Sequence, residues 1–276
     1  EGTTRRWLFG PAMQAGRMVR PLLPRALRDK VPERRDPGQW PARTHARRVL
    51  LLNGCVQPAM MPSIDAATAR VLDAIGVQAI VEARSGCCGA IRPHLNAHDG
   101  ALADARRNID AWWSHLQPEA AQPAEAILIN ASGCGAMVKD YAHLLRDDPV
   151  YAARAQRVVE CTCDLAEWLP RAFSAALEAG TVRVRRVPAD TVAFHPPCTL
   201  QHGQQIRGEV EAFLSTLGVK VTPVAESHLC CGSAGTYSVL QPALSLQLRD
   251  RKLMHLQAGK PKALLSANIG CISHLQ

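Results

Sequence analysis

The sequence of 276 residues has few aromatic side chains, only 4% of the total, although 47% of its residues are hydrophobic. Such a core must consist mainly of Ala, Leu and Val, which favours helices packed on sheets over an aromatic-rich sandwich. Long apolar runs are also missing. Val49-Leu50-Leu51-Leu52 is typical of the longest, whereas a membrane span needs about 20 residues. No signal-peptide pattern is present near the N-terminus. We therefore expect a cytoplasmic protein.

Basic charge is concentrated near the N-terminus. Residues 1–50 contain twelve Lys and Arg against four Asp and Glu, and the whole chain has a net charge of +8, so residues 51–276 sum to zero. Residues 1–46 also contain six prolines, which predicts a basic linker with a short helix near 13–19. Such an arm is either solvated or docks on anionic lipid or an acidic partner. We expect no nucleic-acid partner, because the arm has no base-reading motif and the remainder has no basic surplus.

From residue 47 onward, predicted strands alternate with predicted helices. The pattern predicts strands at 49–52, 77–81, 126–129, 158–159, 191–194, 219–224 and 263–266. It predicts helices at 62–75, 99–116, 136–145, 164–177, 206–217 and 236–258. This alternation is typical of an α/β fold with parallel sheets. The pattern restarts near residue 190, so we predict two duplicated parallel-sheet α/β units, at 47–185 and 186–276.

The ten cysteines provide a quantitative test of the duplication. Cys55 is followed after 31 residues by Cys87-Cys88-Gly89, and Cys198 is followed after 31 residues by Cys230-Cys231-Gly232, an offset of 143 in both cases. Each half then ends in a strand followed by Gly-Cys, at Cys134 and Cys271, after intervals of 45 and 39 residues. A long chain without a secretion signal is expected to keep its thiols reduced, which indicates metal binding rather than disulfides.

Each of these cysteines is predicted to lie in a loop after a strand, at the sheet edge where parallel α/β folds bind ligands. The predicted metal ligands are Cys55, Cys87, Cys88 and Cys134 in the first half, and Cys198, Cys230, Cys231 and Cys271 in the second. Four thiolates suit a [4Fe–4S] cluster or a zinc ion. The adjacent cysteines favour a cluster, because a stiff peptide joins them and a cluster offers separate irons. Gly89 and Gly232 are predicted to bring backbone N–H groups close to sulfur.

The repeated pattern resembles the CCG cysteine-rich domain, which occurs in heterodisulfide reductase subunits, lactate-utilisation proteins and iron–sulfur subunits of glycolate oxidases. The resemblance covers residues 47–276 and is strongest to the glycolate oxidase subunits. It lies in the segments Leu52-Asn53-Gly54-Cys55-Val56-Gln57, Ser85-Gly86-Cys87-Cys88-Gly89-Ala90, Ala131-Ser132-Gly133-Cys134-Gly135, His195-Pro196-Pro197-Cys198-Thr199-Leu200-Gln201-His202 and Ala267-Asn268-Ile269-Gly270-Cys271.

The resemblance implies an iron–sulfur electron-transfer subunit with one or two [4Fe–4S] clusters and no catalytic residue of its own. A flavin-binding glycolate oxidase subunit would be the partner that oxidises a 2-hydroxy acid, and electrons would leave to an acceptor such as quinone. Attachment to the inner face of the cell membrane is a further expectation. The alternatives are a heterodisulfide-reductase-like or lactate-utilisation subunit, and a zinc-bearing assembly scaffold.

The sequence departs from the family pattern in two ways. The fullest motif ends in Cys-x-x-Cys, but Ala131 and Asn268 occupy the earlier position here. Four thiols per half favour a four-ligand site over a five-thiolate cluster. The ferredoxin-like module usual in glycolate oxidase subunits is also missing, and the chain begins with Glu. We therefore expect a fragment whose basic arm links it to that module.

A few other cysteines and histidines lie outside the repeated ligand set. Cys161 and Cys163 have no counterpart in the second half and are interpreted as structural. For His195, His228 and His274, packing or indirect contact is the preferred interpretation over metal ligation, because four thiols already complete each site.

Overall fold

The computed structural model describes residues 5–24, 28, 31–33, 36–117, 119–185 and 190–276. The chain divides into two compact units. The first unit comprises Glu1–Ile127 with Tyr141–Cys161, and the second comprises Leu128–Asp140 with Thr162–Gln276. Residue 186, where the sequence predicts the start of the second domain, lies outside the described residues. The predicted domain boundaries stay a prediction.

Parallel strands form two sheets. The strands are β1 (Arg47–Leu51), β2 (Val77–Ile80), β3 (Ile127–Ile129), β4 (Thr162–Asp164), β5 (Thr191–His195), β6 (Lys220–Val221) and β7 (Ala263–Ser266). The four-stranded sheet has the order β2-β1-β3-β4, and the three-stranded sheet has the order β6-β5-β7. β1 pairs parallel with β2, and β5 pairs parallel with both β6 and β7. The predicted α/β class with duplicated parallel-sheet units is confirmed.

Helices connect the strands. They are α1 (Arg6–Val19), α2 (Gln57–Met60), α3 (Ser63–Ala74), α4 (His98–Leu116), α5 (Ser132–Lys139), α6 (Tyr141–Leu144), α7 (Ala152–Cys161), α8 (Leu165–Glu178), α9 (Glu209–Thr216), α10 (Tyr237–Leu240), α11 (Pro242–Gln257) and α12 (Ile269–Leu275). Short 3-10 turns lie at Arg20–Leu22 and Pro93–Leu95, and a π-helical turn lies at Thr199–Gly203.

The central strands are buried on both faces. Val49, Leu50 and Leu51 of β1 have no exposed surface, and all three residues of β3 are equally buried. Strands covered on both faces have continuous apolar sequences rather than alternating ones. This explains why the short apolar runs of β1 and β3 could be identified as strands from the sequence. Their carboxyl ends lead directly into the cysteine-bearing segments.

The predicted strand at Val158-Val159 is wrong, because these residues lie in α7. The buried residues of this helix are Ala155, Val158 and Cys161, spaced three apart as on one helical face. The strand follows directly as β4, whose last residue Asp164 caps α8 by accepting a hydrogen bond from the Ala166 N–H. A pair of β-branched residues is thus a weaker strand signal than the helical spacing around it.

Two predicted helices are each divided in the structure. The segment 136–145 corresponds to α5 and α6, and the segment 236–258 corresponds to α10 and α11. The second division is at Gln241, whose backbone is non-helical with φ −130° and ψ 59°. Pro242 then starts α11 at a first-turn position, where its missing N–H costs nothing.

Part of the N-terminal arm is bound to the first unit rather than solvated. The Arg70 guanidinium donates to the Pro37 carbonyl oxygen at 3.1 Å, and the Asp73 carboxylate accepts from His45 at 2.8 Å and pairs with Arg43. The helix predicted near 13–19 is longer and begins at Arg6. Within the described ranges, no helix combines the length and apolar character needed to cross a membrane.

Candidate metal centres

Three of the predicted ligands meet in the first unit. Cys55 lies in the bend after β1, whereas Cys87 and Cys88 lie in the loop between β2 and α4, and all three are buried. Hydrogen bonds from the Cys55 and Cys88 thiols lower the pKa of Cys87 to about 3. We call this group of three cysteines the first site.

Buried polar side chains hold the backbone of the first site. The Asn108 amide on α4 accepts from the Gly86 N–H and donates to the Cys87 carbonyl, both at 2.8 Å. The Tyr141 hydroxyl donates to the Cys88 carbonyl at 2.8 Å. Neither Asn108 nor Tyr141 has exposed surface. The two side chains therefore fix the Cys87-Cys88 peptide without using a thiol.

Cys134 lies in the first turn of α5, a segment of the second unit, and not in a loop. It is half-buried, and its N–H donates to the Ala131 carbonyl at 2.8 Å. Its membership of the first site stays a prediction. Cys271 likewise lies in the first turn of its helix, α12.

All four predicted thiols of the second half come together in the second unit, and we call this group the second site. Cys230 is in hydrogen-bonding contact with Cys198 and with Cys231, and Cys231 is in contact with Cys271. Cys198 precedes the π-helical turn, and Cys230 and Cys231 lie in the loop after β6. Four thiols from three separate segments of the chain thus form one continuous cluster.

The contacts divide the second-site thiols into two kinds. Hydrogen bonds from Cys198 and Cys231 lower the pKa of Cys230 to about 2, and contacts with Cys231 and then His195 lower the pKa of Cys271 to about 5. The contact with Cys230 raises the pKa of both Cys198 and Cys231. The contacts therefore favour the thiolate form of Cys230 and Cys271, which is the form that binds metals.

Gly89 and Gly232 have the same geometry in the two sites. Their φ angles are +94° and +91°, a region that residues with a Cβ rarely adopt. The Gly89 N–H donates to the Cys87 sulfur at 3.4 Å, and the Gly232 N–H donates to the Cys230 sulfur at 3.3 Å. A Cβ on Gly232 would lie 2.3 Å from the Ser245 carbonyl oxygen. Backbone N–H groups aimed at sulfur are one means by which proteins set cluster potentials.

Two buried basic side chains border the second site. His195 is 1% exposed, and one of its ring nitrogens lies within 4.8 Å of the Cys231 and Cys271 sulfur atoms. Lys252 on α11 is also 1% exposed; its ammonium donates to the main-chain carbonyls of Glu226 at 2.7 Å and Ser227 at 3.3 Å.

The Lys252 ammonium faces the sulfur cluster. Burial lowers its pKa, whereas the nearby thiolates of Cys198, Cys231 and Cys230 oppose that shift. The sequence analysis did not identify Lys252 as a site residue. The repeat offered one indication: Lys252 lies 143 positions after Ile109, so a lysine occupies the position of a buried core residue of α4 in the first half.

The remaining candidates have other contacts. Burial raises the pKa of Cys161, the last residue of α7, which suits a structural thiol. His274 bonds to the Ser245 hydroxyl at 3.0 Å, and the His228 main-chain carbonyl bonds to His202 at 3.1 Å.

The residues present fit a thiolate-bound metal group. The second site supplies four thiols, a glycine turn that a side chain would fill, and an imidazole with no nitrogen or oxygen partner among the described residues. Such a donor set suits iron–sulfur clusters and zinc. The buried ammonium adds a charge that compensates a negatively charged centre.

Comparison with known proteins agrees with this chemistry. The model of the cysteine-rich domain CCG matches residues 49–139 and 192–276. The chain is 48% identical over 269 residues to the glycolate oxidase iron–sulfur subunit of Escherichia coli strain K12, covering 97% of this chain and 63% of that protein. It is 26% identical to a probable glycolate oxidase iron–sulfur subunit of Bacillus subtilis strain 168, covering 83% of this chain and 49% of that protein. It is 27% identical to lactate utilization protein A of Geobacillus thermodenitrificans, covering 83% of this chain and 90% of that protein. The chain thus spans between about half and two thirds of the two glycolate oxidase subunits.

Proposed function

The chain belongs to the CCG cysteine-rich domain family, and from this premise we propose that it is an iron–sulfur electron-transfer subunit of a flavin-dependent 2-hydroxy-acid oxidoreductase that acts on glycolate. The observation that carries the proposal is the second site, where four thiols from three separate segments meet against a glycine turn. The similarity to glycolate oxidase iron–sulfur subunits supports the choice of substrate.

We propose the eight cysteines named above as the metal ligands of one or two [4Fe–4S] clusters, with zinc as the alternative in one site. A bound cluster supplies one-electron transfer. The chain's own residues hold the thiolates in place, exclude water and set the local charge. Asn108 and Tyr141 fix the loop of the first site, and Lys252 places a positive charge beside the second. Since no flavin-binding motif occurs in the sequence, substrate oxidation would belong to a flavin-binding partner subunit.

Metal analysis tests the proposal directly. Protein purified without oxygen should contain about four iron and four labile sulfide per site, with a brown chromophore. Cys87→Ser should remove the metal of the first site, and Cys230→Ser that of the second. Stoichiometric zinc without sulfide would refute electron transfer at that site and support the assembly-scaffold alternative.

The choice between glycolate and lactate needs a separate test. The lactate alternative is supported by the relative from Geobacillus thermodenitrificans, of which the chain covers 90%. The chain should be mixed with the flavin-binding subunit and either substrate, and cluster reduction followed by electron paramagnetic resonance (EPR). Reduction by glycolate and not by lactate is expected. The opposite preference would favour the lactate-utilisation alternative.

Peripheral membrane attachment is the remaining part of the proposal. Met18, Val19 and Leu22, at the end of α1 and in the turn that follows, are 78%, 46% and 86% exposed. They lie in the segment that contains the net positive charge of the chain. We expect binding to anionic vesicles that weakens with salt. A Met18→Ser, Leu22→Ser variant that binds as well as the unchanged chain would contradict attachment through these residues.

A further inference from the structure

We propose that His195 is a nitrogen ligand of the metal group in the second site, which makes this site a mixed cysteine–histidine centre. The inference rests on the proposed function, because it assigns the ligand to an iron–sulfur cluster. It departs from the sequence-based interpretation of His195 as a packing residue, and it revises the ligand set proposed above: the imidazole takes the place of one of the four thiolates, so that the second site has three cysteine ligands and one histidine ligand.

The first argument is that the hydrogen-bonding contact of the ring is with a site thiol, Cys271, and not with a nitrogen or oxygen atom. His195 is the last residue of β5 and is 1% exposed. Neither ring nitrogen has a nitrogen or oxygen hydrogen-bond partner among the described residues. A buried imidazole without such partners loses the hydrogen bonds that water would provide. Metal binding would compensate that loss.

The second argument is distance. One His195 ring nitrogen and the sulfur atoms of Cys231 and Cys271 all lie within 4.8 Å of one another. The imidazole and the two thiols therefore border the same small volume, so a metal group held by these thiols would lie beside the imidazole.

The third argument is that the main chain holds His195 in position. The Ser266 hydroxyl on the paired strand β7 donates to the His195 main-chain carbonyl at 3.0 Å, and His195 and Ser266 are register partners. The Asn268 amide donates to the Cys271 sulfur at 3.6 Å and so helps to hold that thiol. The pairing of β5 with β7 thus places His195 beside the sulfur cluster.

The repeat provides an internal comparison. The equivalent residue in the first half is Leu52, 143 positions earlier, and it is 3% exposed. An aliphatic side chain therefore meets the packing requirement at this position. Because Leu52 cannot bind a metal, the two sites would differ in ligand chemistry. Neutral imidazole in place of a thiolate raises the reduction potential of a cluster.

The decisive experiment is pulsed EPR on reduced protein that carries only one site. Cys87→Ser protein, with the second site loaded, should show a strong nitrogen hyperfine coupling. Incorporation of ¹⁵N-histidine should convert this coupling to the ¹⁵N pattern, and a further His195→Leu substitution should abolish it. Cys230→Ser protein, with only the first site loaded, is the matched control and should show no histidine coupling. If Cys87→Ser does not fold, the labelled full chain is compared with its His195→Leu variant.

The outcomes separate the two proposals. Normal iron and sulfide without a histidine coupling, or with one that survives His195→Leu, would overturn the ligation and leave the electron-transfer function standing. Absence of iron and sulfide from the second site would overturn the proposed function there, and the ligation with it. His195→Cys should retain metal at a lower potential, which a packing role would not produce.

Discussion

The first and second sites share a backbone frame and differ in the side chains around it. In both, a glycine with φ near +90° donates its N–H to the sulfur two residues earlier. Leu52 and Ile109 in the first half occupy the positions of His195 and Lys252 in the second, at the common offset of 143 residues. The comparison indicates that duplication retained the ligand frame while the polar surroundings diverged. Two metal groups in such sites would have different potentials, which suits a relay that moves electrons in one direction.

The partners that hold the frame also differ. Asn108 and Tyr141 bind the carbonyls of Cys87 and Cys88 in the first site. Ser245 donates to the Gly232 carbonyl at 2.8 Å in the second, supported by His274. One turn of backbone can therefore be fixed by unrelated side chains, provided that each buried carbonyl receives a donor.

Gly232→Ala should have the largest effect. It tests whether metal binding requires the backbone frame that the two sites share. A Cβ at this position would lie 2.3 Å from the Ser245 oxygen at a φ of +91°. We expect loss of the second-site metal and destabilisation of about 3 kcal/mol or more, measured by metal analysis and thermal unfolding. Gly180→Ala, at φ +68° with nothing within 4 Å of the added Cβ, is the control and should cost about 1 kcal/mol. Full metal content in Gly232→Ala would contradict the requirement.

Lys252→Met tests the difference in charge between the two sites by removing the buried cation of the second site. Removing a buried cation beside thiolates destabilises the reduced, more negative form of the metal group, so the potential of the second site should fall. We expect the second-site potential to fall by about one to two times 59 mV, where 59 mV corresponds to a tenfold change in the one-electron equilibrium constant. Redox titration monitored by EPR measures it. Ile109→Met, at the equivalent position of the first half, should leave the first-site potential unchanged. An unchanged second-site potential in Lys252→Met would show that the ammonium does not act on the metal.

Tyr141→Phe should affect the first site alone. It leaves the buried Cys88 carbonyl without the hydroxyl donor at 2.8 Å, which is expected to cost about 1 to 3 kcal/mol. Chemical denaturation and first-site iron content measure the effect. Ser245→Ala is the matched change in the second site and should weaken only that site. Equal metal loss from both sites in either variant would argue against separate supports.

The smallest effect concerns the arm, which binds the first unit. Hydrogen bonds from His45 and then Arg43 lower the pKa of Asp73 below its usual value. The carboxylate therefore contributes stability above its unfolded pKa of about 4, and this is lost as pH falls through the lower folded value. Asp73→Asn should remove less than about 1 kcal/mol at neutral pH and flatten this acid dependence, measured by denaturation between pH 2 and 7. Asp190→Asn, which breaks the exposed pair with Lys262 in the second unit, should not change it.

Element type was largely predictable from sequence, and element ends were not. The ends predicted for β1, β3 and the helix from 99 to 116 lie within two residues of the observed ends. The error at Val158-Val159 arose because a short apolar pair fits both a strand pattern and a helix pattern. In the structure the pair lies in a helix that buries every third residue. Helix interruptions depend on single backbone angles, such as those at Gln241, which residue spacing does not report.

The sequence by itself determined the duplication, the eight repeated cysteines and the two glycines. The spacing of the cysteines along the chain shows the duplication, and a glycine after each Cys-Cys pair indicates a backbone position with positive φ. Tertiary structure decided what surrounds them. It buried Lys252 and His195 against sulfur and placed Tyr141 on a carbonyl 53 residues away. Lysine and histidine are usually exposed or only partly buried, so no local pattern predicts their position here. Only the packing of α11 and β5 around the second site brings their charge and nitrogen to the thiols.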